Sequence, residues 1–132
     1  MSVGLLIISH DGIGSHLLTT ASRMLEGSPM RCRVLAAQGD SDPDYLVLEG
    51  KALIDQLDDG DGVLVLTDMF GATPSNVAAK LVSGKVACVA GINLPMLVRV
   101  LNYSELNLRE LAQKALSGGI EGVMTCIQNS GE

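Results

Sequence analysis

Two stretches of this chain hold residues that could do chemistry together. One is Ser9-His10-Asp11-Gly12, directly after the apolar run Leu5-Leu6-Ile7-Ile8; the other is Thr67-Asp68, directly after Val63-Leu64-Val65-Leu66. A carboxylate bonded to one imidazole nitrogen fixes the tautomer and raises the basicity of the other nitrogen. The nitrogen so presented is a nucleophile. Beside each stretch is a helix start suited to an anion: the glycine turn Gly12-Ile13-Gly14, and Thr73-Pro74-Ser75. Helix N-termini offer free N–H groups and the positive end of a dipole to a phosphoryl group. His10 as nucleophile, Asp68 as its orienting carboxylate, and Gly12, Thr73 and Ser75 around the anion together point to phosphoryl transfer through phosphohistidine.

That pairing requires the two stretches to meet, so the elements carrying them decide the matter. Both apolar runs are continuous rather than alternating, the pattern of strands buried on both faces of a parallel sheet. Further strands are expected over 31–37 and 85–90. Helical spacing links them: Ile13, Leu17, Leu18, Ala21 and Leu25, ending near Gly27 and Pro29; then Tyr45, Leu46, Leu48, Leu53, Ile54 and Leu57, entered at Asp42-Pro43 and weakened by Gly50. A third helix is expected over 75–82, with Thr73 as its N-cap and Pro74 at the first helical position. Two more follow, one starting at Pro95 and one over 108–116 stopped by Gly118-Gly119, before a short strand over 122–127. The alternation of strand and helix predicts an α/β fold with an open, mainly parallel sheet. In the flavodoxin-like order 2-1-3-4 the first and third strands are neighbours, with the topological switch point and both stretches at their carboxyl ends.

Other chemistries are weaker. Gly12-Ile13-Gly14-Ser15-His16-Leu17 begins like a dinucleotide fingerprint but has Leu17 where the third glycine belongs. Ser9 and Ser75 lack the flanking glycines of a hydrolase nucleophile elbow. His10, Asp11 and Asp68 could hold a metal, but at no established ligand spacing. His16 reads as a helix-surface or hydrogen-bond-satisfied histidine, not a ligand, and Asp58, Asp59 and Asp61 as a solvated turn. No metal and no cofactor are expected.

Composition narrows the class. The 132 residues are 47% hydrophobic with a net charge of −6 and only 2% aromatics, which fits one domain with a core of Leu, Val, Ile, Ala and Met. The acidic balance argues against nucleic acid and against an anionic membrane surface. There is no signal-peptide pattern and no transmembrane-length apolar run, so a cytoplasmic place is expected. Cys32, Cys88 and Cys126 are odd in number, far apart and in apolar runs, and read as reduced, buried thiols.

The ordered motifs, Ser9-His10, then Thr67-Asp68-Met69-Phe70-Gly71-Ala72-Thr73-Pro74-Ser75-Asn76, then Ala90-Gly91-Ile92-Asn93-Leu94-Pro95-Met96-Leu97, resemble the mannose-type enzyme IIA subunits of the bacterial sugar phosphotransferase system (PTS). The resemblance covers essentially the whole chain, so residues 1–132 are expected to be a single EIIA domain. It implies a phosphotransferase in which His10 takes a phosphoryl group from the phosphocarrier HPr and passes it to a IIB subunit. It further implies Asp68 as orienting partner, phosphate held by Thr73 and the helix start after it, and a homodimer exchanging its C-terminal strand. Contact with a membrane would be indirect, through a IIC/IID permease. Where the family usually has glycine after the active histidine, this chain has Asp11; Phe70 and Ala72 stand where Trp and a second Gly are frequent. No linker or IIB domain follows, so the acceptor is expected on a separate polypeptide. The competing readings are a regulatory module whose phosphorylation state signals to a partner without sugar transport, and a phosphate- or nucleotide-binding flavodoxin-like protein.

Overall fold

Why the apolar runs do not alternate is visible in the sheet they build. The computed structural model describes residues 2–27 and 30–127. The elements are β1 (Gly4–His10), α1 (Ile13–Met24), β2 (Cys32–Ala37), α2 (Pro43–Leu57), β3 (Val63–Thr67), α3 (Thr73–Ala79), β4 (Val86–Ala90), α4 (Leu94–Asn102) and α5 (Leu108–Glu121). The four strands form one parallel sheet in the order β2-β1-β3-β4, as the sequence predicts. Leu5, Ile7, Leu64 and Leu66 face one core layer, with residues of α1, α4 and α5. Leu6, Ile8, Val63 and Val65 face the other, with residues of α2 and α3. Successive side chains alternate between the faces, so covering both faces demands apolar residues at every position. All eight are fully buried, each stabilising by about 1.5–3 kcal/mol.

The strand ends are level where chemistry is expected. Ile8 pairs with Thr67 across β1 and β3, and His10 pairs with Ala37 across β1 and β2. α2 enters as read, with Asp42 as N-cap accepting the Asp44 N–H at 3.1 Å and Pro43 following, and it runs on through Gly50. The turn after α2 is bonded rather than merely solvated: Asp58 Oδ1 accepts the N–H groups of Gly60 at 2.8 Å and Gly62 at 3.0 Å, and Asp59 pairs with Arg31 at 2.8 Å.

Several expectations shift. Thr73 is the first helical residue of α3, not its N-cap; Ala72 holds the extended cap position, without a side-chain cap bond. α3 also ends earlier than expected, as the Lys80 and Leu81 N–H groups turn back three residues to Val77 O and Ala78 O, a tight closing turn. α5 is not stopped by Gly118-Gly119 but runs through both to Glu121. A Cβ on Gly118 would lie 2.9 Å from Arg99 Cβ, and one on Gly119 2.7 Å from Met96 Cε. These glycines let α5 pack closely on α4; they do not end it. α4, nearly apolar all round, finds its cover within the chain, since Met96, Leu97, Val100 and Leu101 are buried in the layer with α1 and α5.

The strand expected over 122–127 is absent from the single chain: Gly122 caps α5 and residues 123–127 have no regular structure. The thiols also differ from expectation, with Cys32 and Cys88 partly buried and Cys126 exposed. Burial pushes the Cys88 thiol up, away from reactivity. Pro29, placed near the end of the first helix, lies outside the described residues.

Gly14 sets how closely α1 crosses the carboxyl end of β1. A Cβ there would lie 2.7 Å from Ile7 Cγ2 and 2.9 Å from Ser9 Oγ, and a β-branched core methyl has little room to yield. Gly14→Ala is therefore expected to cost about 1–3 kcal/mol. Urea unfolding should show a lower midpoint at unchanged slope; an unchanged midpoint would mean that α1 moves freely off the sheet.

Candidate active site

β1 and β3 run parallel side by side, so the residues that leave their carboxyl ends emerge together at the switch point of the sheet. The structure brings His10 and Asp68 into direct contact there. Asp68 Oδ2 accepts the His10 backbone N–H at 2.9 Å and lies 2.8 Å from His10 Nδ1, while Asp68 Oδ1 accepts the Met69 N–H at 3.1 Å. The carboxylate is only 10% exposed and the imidazole 44%. Burial pushes the Asp68 carboxyl up, but the His10 backbone N–H and ring outweigh it and hold the group below the ordinary carboxylate range.

This geometry assigns the tautomer. An ionised carboxylate only accepts, so Nδ1 carries the proton. The neutral ring then has its lone pair on Nε2, which makes no hydrogen bond among the described residues. The pair can therefore offer Nε2 to an electrophile and stabilise the cationic ring that results.

The turn after His10 is pinned at several points. Ser9 is fully buried, and its Oγ accepts the Gly14 N–H at 2.9 Å. It fastens the end of β1 to the first turn of α1 and is no free nucleophile, a role without any local sequence signal. The Gly12 carbonyl accepts from the His16 N–H at 3.0 Å, from His16 Nδ1 at 2.7 Å and from Ser15 Oγ at 3.2 Å. His16 is thus an exposed residue of α1 whose ring is satisfied by the Gly12 carbonyl, and it holds the turn from the start of the helix. Asp11, between His10 and Gly12, has a left-handed backbone with φ of 43°.

The anion-site candidates lie on the same edge without bonding the His10–Asp68 pair. Gly12 precedes α1; Thr73 is exposed and Ser75 buried in the first turn of α3, which begins five residues beyond Asp68. Around them the edge is apolar and acidic. Ile13, Met69 and Phe70 are 46%, 63% and 86% exposed. The segments 9–16, 38–44, 67–76 and 91–94 carry Asp11, Asp40, Asp42, Asp44 and Asp68 but no lysine or arginine. Among the described residues, no group of three or more His, Cys, Asp or Glu side chains is arranged to hold a metal ion.

A carboxylate held below its usual range stabilises the fold above its unfolded pKa, about 3.9, and the contribution fades as pH falls through the folded value. Asp68→Asn is accordingly expected to lower stability by about 1–2 kcal/mol at pH 6, and by progressively less below pH 4. Denaturant unfolding at pH 6 and pH 3 measures this. A difference of the same size at both would mean that the charge is not what the two His10 bonds recognise.

Comparisons with known proteins bear on this site. The family model for the PTS system fructose IIA component (EIIA-man) matches residues 4–116. The mannose-specific EIIAB component of Escherichia coli K12 is 32% identical over 127 residues, covering 93% of this chain but only 39% of that protein. The chain thus spans about two fifths of the length of this relative. Among solved structures, the mannose/sorbose-specific IIA subunit from Enterococcus faecalis superposes with a TM-score of 0.87 at 23% identity, covering 98% of each chain. A PTS IIA protein associated with the fucose utilization operon of Streptococcus pneumoniae has a TM-score of 0.77 at 30% identity, covering 95% of this chain and 96% of the other. With a parallel 2-1-3-4 sheet, a His10–Asp68 pair at its switch point and a family match over nearly the whole sheet and its helices, the chain belongs to the mannose-type EIIA family of the sugar phosphotransferase system, whose members serve as phosphotransfer relay components.

Proposed function

We propose that His10 accepts a phosphoryl group at Nε2 from phospho-HPr and passes it to a IIB subunit, feeding a cytoplasmic relay that reaches the membrane only through a IIC/IID permease. The observation that carries this reading is the pair of hydrogen bonds from His10 to Asp68, which commits Nδ1–H and leaves Nε2 to react. In the step, the bond from phosphorus to the donor nitrogen breaks as the bond to His10 Nε2 forms. No proton need leave the ring, because the lone pair attacks and Nδ1 keeps its hydrogen. The imidazole becomes cationic, and the Asp68 carboxylate against Nδ1–H favours that charge. In this reading Gly12, Thr73 and Ser75 hold the phosphoryl oxygens through the starts of α1 and α3. Transfer to IIB is the same exchange with a new acceptor. A protein partner suits a half-exposed histidine among exposed apolar side chains with an acidic surround, which fits an apolar contact ringed by Lys and Arg. Among the described residues no helix is long and apolar enough to cross a membrane.

The reading is tested by incubating the protein with phosphoenolpyruvate, enzyme I and HPr and following its mass. One acid-labile phosphate is expected. His10→Ala should abolish it and His16→Ala should keep most of it; the reverse pattern overturns the site. Asp68→Asn is expected to slow labelling by about 10²–10⁴-fold.

We also propose a homodimer that exchanges the C-terminal segment. Leu116 and Ile120 on α5, then Val123, Met124 and Ile127 beyond it, are 53–75% exposed, an apolar surface that a second copy would cover. The segment 123–127 would gain strand partners there, and β4 is a free edge of the sheet. The 132-residue chain should sediment as a dimer at micromolar concentration, and the chain truncated before Gly122 as a monomer or an aggregate. A monomeric untruncated chain overturns the exchange.

A further inference from the structure

We infer that the Asp11 carboxylate raises the phosphoryl-donor tendency of phospho-His10, so that the site gives up its phosphoryl group more readily than the His10–Asp68 pair alone would. This rests on the phosphohistidine reading above. Asp11 is the residue next to the nucleophile, and its left-handed φ of 43° is a region that L residues other than Asn and Asp seldom adopt. The backbone is fixed on both sides: the Asp11 N–H donates to Ala37 O at 3.0 Å, and the Gly12 carbonyl is held by His16 and Ser15. Its side chain is exposed and makes no hydrogen bond or ion pair among the described residues. Segments 9–16, 38–44, 67–76 and 91–94 hold four further aspartates and no Lys or Arg, and the nearby imidazole of His16 is bonded to the Gly12 carbonyl.

The consequence follows from distance and charge. Adjacent Cα atoms are about 3.8 Å apart, so the Asp11 carboxylate is within roughly 11 Å of His10 Nε2 at any rotamer. That is comparable with the screening length in dilute salt, about 10 Å at 0.1 M and longer below it. Neutral His10 feels this charge weakly, whereas phospho-His10, with a phosphoryl group carrying up to two negative charges, is repelled. Asp11 therefore acts on the phosphorylated state more than on the free one. It forms no bond to the reacting atoms, and in the exchange one P–N bond still breaks as one forms. Asp68 differs because it sits against Nδ1–H, where the ring gains positive charge.

The test is the equilibrium of phosphoryl exchange between phospho-HPr and this chain, measured by native mass spectrometry at neutral pH in 20 mM and 300 mM salt. Asp11→Asn keeps a residue tolerant of the left-handed backbone and removes the charge; Asp11→Gly removes the strain as well. Both are expected to shift the equilibrium about three- to tenfold toward the phosphorylated chain at low salt, with the gain shrinking at high salt. Asp61→Asn, in the turn before β3 at the amino ends of the strands, should leave it unchanged. The inference is overturned if Asp11→Asn matches the wild type, if only Asp11→Gly shifts the equilibrium, if the shift ignores salt, or if Asp61→Asn shifts it equally. Absence of label on every variant and on the wild type overturns the phosphorelay reading, and this inference with it.

Discussion

Everything at the candidate site depends on one carboxylate oxygen receiving two N–H groups from one residue. Asp68 Oδ2 meets both the backbone N–H and Nδ1 of His10, so it fixes the main chain and the ring together. The Nδ1 contact alone would orient an imidazole on a movable loop; the backbone contact also ties the end of β1 to the end of β3. This is possible only because the two strands are parallel neighbours whose ends are in register, Ile8 opposite Thr67. A slip of one residue would turn Asp68 to the other face of the sheet. The buried Leu, Ile and Val residues that forbid such a slip are therefore as much a part of the chemistry as the histidine.

The same dependence explains what could be read from the sequence. Strands covered on both faces must be apolar at every position, so β1 and β3 announce themselves, and their order follows from few topological choices. A histidine and an aspartate at the ends of adjacent buried strands then almost have to meet. What stayed hidden depends on contacts far along the chain. Gly118-Gly119 looks locally like a helix stop and is instead the close approach of α5 to Arg99 and Met96. Ser9 carries no local sign of its role, because its hydroxyl is committed to the Gly14 N–H five residues on. Ala72 caps α3 by backbone conformation alone, which leaves no side-chain signal for the boundary, whereas Thr73 before Pro74 has the local pattern of a cap. Residues 123–127 have the composition of a strand without a strand beside them in a single chain.

α4 marks a limit of pattern reading. Its nearly uniform apolar surface invites the idea of an interface between subunits, but α1 and α5 cover it within one chain. The apolar surface left to a second copy lies one layer further out, on α5 and the segment after it. Hydrophobicity all round a helix states that the helix is covered, not by what.

The site divides its labour by exposure. The carboxylate is almost out of solvent and bonded on both oxygens, whereas the imidazole it orients is nearly half open. A site closing over a small substrate would bury its nucleophile and gain by excluding water. A nucleophile that must meet a nitrogen-bound phosphoryl group on another protein cannot be buried, because the two surfaces have to touch. In the relay we propose, the docked partner supplies the exclusion of water that this chain lacks by itself. Its cations would complete an edge on which Asp11, Asp40, Asp42, Asp44 and Asp68 stand without a lysine or arginine. Docking would then strengthen the electrostatics at the moment of transfer, and separation would weaken them. A relay needs that difference, since a phosphoryl group held equally well with and without its partner would not move on.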